Sequence, residues 1–159
     1  MSETSVSLDS IMPLIRERLA AGESVQFTPR GTSMTPMILG GRDQVVLSPL
    51  PAQLRKYDLP LYQRDNGQYV LHRIVKVGDT YTCIGDNQFE YEPGVRGDQM
   101  IAVATAFVRK GKLRQVNTVS HKLYCRLWCG SRSLRHFCLI GQYRVKQFLG
   151  LRPKKDSHP

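Results

Sequence analysis

No stretch of this chain approaches the roughly 18 consecutive apolar residues that a transmembrane helix needs. Met1–Ser10 carries Glu3 and Asp9 and lacks the basic-then-apolar pattern of a secretory signal. A protein made and kept in the cytoplasm is therefore expected. Cysteine is scarce, at four residues (Cys83, Cys125, Cys129 and Cys138) in 159. A body of this size has core enough without disulfides, so no disulfide framework is expected. Cys125 and Cys129 stand one helical turn apart and His136 follows. No second Cys/His pair stands at zinc-finger spacing, so the cysteines read as small apolar residues, with no metal and no cofactor expected. No helix-length pattern separates the strand signals, which argues against a parallel βαβ sheet. There is no internal repeat.

Acid is nearly missing from the last third. Residues 109–159 hold 13 Lys/Arg against Asp156 alone, a net of +12, whereas residues 1–108 hold 10 Lys/Arg against 12 Asp/Glu, a net of −2. The overall charge of +10 is thus a mildly acidic body with a basic tail. The tail has no recognisable DNA-recognition motif, so nucleic acid is not an expected partner.

What is present reads as one mainly β domain of residues 24–116, preceded by a helical segment, 1–23, and followed by the basic tail, 117–159. Asp9–Ala21 has helical spacing, with Ile11, Leu14, Ile15 and Leu19 on one stripe. Pro13 fits only in a first turn, which puts the cap at Asp9 or Ser10, and Gly22 suits a left-handed stop. Short runs rich in Val, Ile, Tyr and Thr predict strands at Ser24–Thr28, Gln44–Ser48, Leu59–Arg64, Tyr69–Val77, Thr80–Ile84 and Met100–Val108. Turn signals separate them: Gly40-Gly41, Asp65-Asn66-Gly67, Gly78-Asp79 and Pro93-Gly94. From His121 the tail turns helical, with Leu123, Leu127, Leu134, Phe137, Cys138, Val145 and Phe148 on an approximate stripe among Lys and Arg.

Three segments carry chemistry. In Arg30-Gly31-Thr32-Ser33-Met34-Thr35-Pro36 a serine sits where glycine and proline bend the chain, a place that can present a hydroxyl and free backbone N–H groups. In Tyr69-Val70-Leu71-His72-Arg73-Ile74-Val75, a period of two puts His72 on the face of Val70 and Ile74 and turns Arg73 away. A histidine there serves equally as a core residue or as a proton acceptor for a serine. Gly85-Asp86-Asn87, with Glu90 and Glu92 after it, reads either as turn chemistry or as the source of a carboxylate that orients the histidine.

In order and spacing, Gly-x-Ser-Met-x-Pro, then a strand with His-Arg-Ile, then Gly-Asp-Asn resembles the signal peptidases and their LexA-like relatives, in the branch that uses histidine as the base. The resemblance runs from about Val25 to Phe107. It takes in Gly41-Arg42-Asp43 and Lys56-Tyr57-Asp58, which are similar to the Gly-Asp boxes of that family. It implies a coiled antiparallel β-sheet fold and a serine endopeptidase, with Ser33 as nucleophile, His72 as base and the two within hydrogen-bonding reach. It places Asp86 ahead of Glu92 as the third catalytic residue, and Met34 and Pro36 on the substrate side. The implied partner is a peptide or protein substrate. This sequence departs from the pattern at Gly31, where some bacterial members have a supporting serine, and in lacking the family's N-terminal membrane anchor. A tail of this charge, with Tyr124 and Trp128, is suited to an anionic lipid surface, which would place the protein on the inner face of the membrane. Packing of the tail on the domain is the alternative. A catalytically silent or self-processing LexA-like regulator is the second functional reading. Its favoured Ala-Gly bond is present at Ala21-Gly22, but Gly22 is already explained as a helix stop.

Overall fold

The computed structural model describes residues 8–116 and 118–130, together with Phe137, Ile140 and Gly141. It is mainly β, with two antiparallel sheets and a helix on either side of them in sequence. Helix α1 (Leu8–Ala20) includes Leu8, so Pro13 lies beyond the first turn and leaves the Asp9 carbonyl without its usual helical donor. Met12, Ile15 and Leu19 form its buried face, while Leu14, expected on that stripe, is exposed. The helix stops at Gly22 as expected. Gly22 has φ of +79° and donates to Leu19 at 3.0 Å, and Glu23 donates to Arg18 at 3.0 Å, the paired bonds of a Schellman stop.

The first sheet contains β1 (Val25–Phe27), β2 (Gln44–Ser48), β3 (Pro60–Gln63), β4 (Tyr69–Leu71), β8 (Met100–Arg109) and β9 (Lys112–Gln115). Its order is β1-β2-β8-β3-β4, with β9 also paired to β8. The second sheet is β5 (Arg73–Val77), β6 (Tyr81–Ile84) and β7 (Glu92–Val95), in that order. The single strand expected over Tyr69–Val77 is therefore two strands in two sheets, and His72 is the residue between them. Leu71 pairs with Leu61 in the first sheet, and Arg73 pairs with Ile84 in the second.

Strands β7 and β9 were not expected. Pro93-Gly94 looked like a turn, but it lies within β7, an edge strand on which a missing N–H costs little. Strand β9 is a hairpin return through Lys110 and Gly111, both at positive φ.

One core lies between α1 and the first sheet, where Met12, Ile15 and Leu19 meet Val45, Leu47, Leu61 and Ala104. It also contains Met34, Met37 and Ile38, so the loop carrying Ser33 is rooted in it. A second core gathers Tyr62, Val70, Ile74 and Cys83.

The tail helix α2 (Val119–Gly130) packs on the body through His121, Tyr124, Cys125 and Trp128. Leu123 and Leu127 of the expected stripe face outward, 57% and 54% exposed. Of the rest of that stripe, Phe137 is exposed, and Leu134, Cys138, Val145 and Phe148 lie outside the described residues. Among the described residues, no helix is long and apolar enough to cross a membrane.

Candidate active site

Ser33 lies in a tight loop between β1 and β2. Gly31, with φ of +84°, makes a turn that a side chain would strain. Gly40 packs on it so closely that a Cβ would lie 2.0 Å from the Gly31 carbonyl oxygen. The Gly41 N–H closes the base of the loop by donating to Pro29 at 2.8 Å. Met34, Met37 and Ile38 point into the core, and the polar end of the loop is held by Asp43. This fully buried carboxylate accepts the Leu39 N–H at 3.0 Å, Arg42 Nε at 2.7 Å and Arg109 Nε at 3.0 Å. Burial alone would raise its pKa, but the two guanidinium groups and the amide prevail and hold it down to about 2. Arg109 also donates to the Pro36 and Met37 carbonyls.

The other side of the loop rests on Gly85-Asp86-Asn87. The Asn87 N–H donates to the Ser33 carbonyl at 2.8 Å, and a Cβ on Gly85 would lie 2.7 Å from that same oxygen. The serine is thus held by its own backbone. Within the turn the Thr35 N–H goes to Thr32 and the Ile38 N–H to Met34. The N–H groups of Ser33 and Met34 have no acceptor among the described residues.

His72 is almost fully buried, with Tyr62 and Glu92 on its Nδ1 side. Tyr62 Oη lies 3.4 Å from Nδ1 and Glu92 Oε2 lies 3.6 Å from it. Tyr62 spends its one proton on Glu92, donating to Oε2 at 2.7 Å. Burial and that carboxylate push the phenol's pKa up, so the proton stays on Tyr62. Both neighbours of Nδ1 can then only accept a hydrogen bond. The network assigns the proton of neutral His72 to Nδ1 and leaves the lone pair on Nε2. Burial, with Arg64 nearby, lowers the imidazole pKa to about 4 against the pull of Glu92, so His72 is a neutral base at physiological pH. Arg64 fixes Glu92 with two bonds of 2.6 Å from Nε and Nη2. Glu92 is held below the usual glutamate range: burial opposes this, and the bonds from Arg64 and Tyr62 outweigh it.

Ser33 and His72 line one cleft of about 560 Å³, whose walls include Phe27, Met34, Leu61 and Tyr69. No hydrogen bond joins Ser33 to His72 among the described residues. The two expected partners share the cleft without the contact expected between them. Catalytic hydrogen bonds of unliganded enzymes are commonly long and tighten when substrate binds.

Asp86 is not the carboxylate beside His72. It is fully buried and grips Arg73 with two bonds of 2.8 Å, to Nε and Nη2. Arg73 turns away from His72 as the strand period predicted, and it also donates to the Tyr57 carbonyl, Met37 Sδ and Cys125 Sγ. A buried guanidinium needs an anion, and Asp86 supplies it. Pro36 is not a cleft residue either: it lies at the back of the loop, its carbonyl bonded to Arg109. Met34 does reach the cleft, though most of it is core.

The sequence reading also missed Tyr62 and Arg64. A signal for Tyr62 was there. Folding the two flanking strands about Asp65-Asn66-Gly67 pairs Tyr62 with Val70, diagonally beside His72 on the same face. Among the described residues, no cluster of three or more His, Cys, Asp or Glu side chains could hold a metal ion. The chain matches no protein-family model and no curated protein.

Proposed function

We propose that this chain is a serine endopeptidase of the signal-peptidase/LexA-like kind, its two sheets forming that family's coiled β fold. The observation that carries the reading is the network around His72. A buried, neutral imidazole has its Nδ1 side occupied by acceptors, and it shares a cleft with a serine on a rigid loop.

The chemistry follows from those groups. Ser33 Oγ attacks the carbonyl carbon of the scissile bond while its proton passes to His72 Nε2. The N–H groups of Ser33 and Met34 receive the charge that develops on the carbonyl oxygen, which makes a side-chain donor at position 31 unnecessary. The imidazolium donates its Nδ1 proton toward Glu92 and gives its Nε2 proton to the departing amine. Water, deprotonated by the same nitrogen, then releases the acyl group from Ser33 and restores the enzyme. Glu92 stabilises the imidazolium, and Tyr62 and Arg64 orient Glu92.

The experiment is reaction with a fluorophosphonate, an electrophile that phosphonylates an activated serine hydroxyl far faster than an ordinary one. One adduct at Ser33 is expected, and an unmodified Ser33 in folded protein would reject the proposal.

The outer face of α2 supports a site of action on the inner face of the membrane. Val119, Leu123 and Leu127 are exposed there, four residues apart, with Lys122 and Arg126 exposed beside them. The full chain should sediment with anionic vesicles at low salt and much less with neutral ones. Equal partitioning onto both would remove charge from this account.

A further inference from the structure

We infer that helix α2 completes the site, with Trp128 and Tyr124 as positioning residues for Ser33. The catalytic part of this inference rests on the serine-peptidase reading.

The connection runs through one peptide group. Trp128 Nε1 donates to the Asp86 carbonyl at 2.8 Å. The N–H at the other end of that peptide belongs to Asn87, and it donates to the Ser33 carbonyl at 2.8 Å. Because a peptide unit is planar, fixing its oxygen fixes the direction of its N–H. The two bonds also polarise one another in this largely buried setting. Tyr124 adds a second hold on the same residue, its hydroxyl donating to Asp86 Oδ2 at 3.1 Å. The two aromatic rings stack 6.0 Å apart at 12°, one turn apart on the helix, so each restrains the other. Nothing in the cleft needs α2 to build its walls; the helix acts by fixing the plane of a peptide on which the nucleophile loop rests.

A helix that only packed would affect stability alone. Positioning gives two further signals, read on the full chain. The first is hydrogen exchange at the Asn87 amide, which reports the coupling whether or not Ser33 is reactive. Trp128→Phe should speed it about tenfold while leaving the Gly41 amide, at the opposite side of the same loop, unchanged. The second is the rate of fluorophosphonate modification at saturating reagent, which should fall about tenfold in Trp128→Phe with the half-saturating concentration preserved. Tyr124→Phe, which removes one hydroxyl and leaves Trp128, should give a smaller change of the same kind and serves if Trp128→Phe does not fold. Trp128 is the chain's one tryptophan, so its emission should also shift when Ser33 of the unsubstituted protein is modified.

Should Ser33 resist the reagent while Asn87 exchange responds to Trp128→Phe, the peptidase reading fails and the coupling stands. Unchanged Asn87 exchange, or a reactive Ser33 whose rate is the same in Trp128→Phe, overturns the inference and leaves the peptidase reading intact.

Discussion

Replacing Glu92 with glutamine should lower turnover by roughly 10²–10⁴-fold while the protein remains folded. Glutamine keeps the shape and can still accept from Tyr62, but it brings no charge to the imidazolium of the proposed mechanism. It also gives up the two-pronged bond from Arg64, which leaves a half-buried guanidinium nearer to an unbalanced histidine. The pH profile is a second mark of the same role. In the unsubstituted protein the base should stay free until the pH falls to about 4, so activity is held above that point and lost as the pH falls through it. Glu92 is one of the groups raising that pKa. Removing its charge should move the acid limb lower still, while the plateau drops. Turnover measured from pH 3.5 to 8 for both proteins decides this, and an unshifted limb with a normal plateau would take Glu92 out of the site.

Asp86→Asn should act on stability, by roughly 3–5 kcal/mol, because it leaves Arg73 charged and fully buried without its anion. Arg73 touches Met37 of the Ser33 loop, Tyr57 before β3, and Cys125 on α2, so the loss should spread to three parts of the molecule. Urea denaturation gives the magnitude. A protein of normal stability with strongly reduced turnover would instead return Asp86 to the catalytic role that the sequence motif implied.

These two acids show what could and could not be read ahead of the structure. They stand six positions apart, one in a turn signal and the other just after it, so spacing alone does not rank them. What decides is β7: Glu92 pairs with Cys83 and is carried to the Tyr62 and His72 side, while Asp86 stays in the loop beneath Arg73. Strand β7 was hidden because Pro93-Gly94 has turn chemistry, and only its place at a sheet edge makes a strand tolerable there. His72 itself was legible as a buried residue on a strand face. The sheet change on either side of it was not, since continuous runs of apolar residues do not mark where a strand exchanges partners.

In the tail the stripe was legible and its direction was not. Leucine spacing marks a stripe through Leu123 and Leu127 without deciding whether it meets the body or a lipid surface, and the groove beneath α2 contains Asp86 and Arg73, which need hydrogen-bonding partners. Tyr124 and Trp128 donate an O–H and an N–H to Asp86, and His121 Nε2 and Cys125 Sγ accept from Arg73, so the polar-tipped aromatic stripe turned in and the leucines turned out. Ser33 was legible because glycine at 31 and 40 answers backbone demands that a sequence records directly. Arg109, which holds the same loop through Asp43 from 66 residues away, has no local signature.

Activation of Ser33 by His72 is the central claim. Mapping a fluorophosphonate adduct by mass spectrometry, in the unsubstituted protein and in His72→Ala, tests it with no need to know the natural substrate. A single modified residue, Ser33, is expected at neutral pH, with loss of that modification in a folded His72→Ala protein. An adduct on another residue, or a Ser33 that reacts equally well without His72, would contradict it.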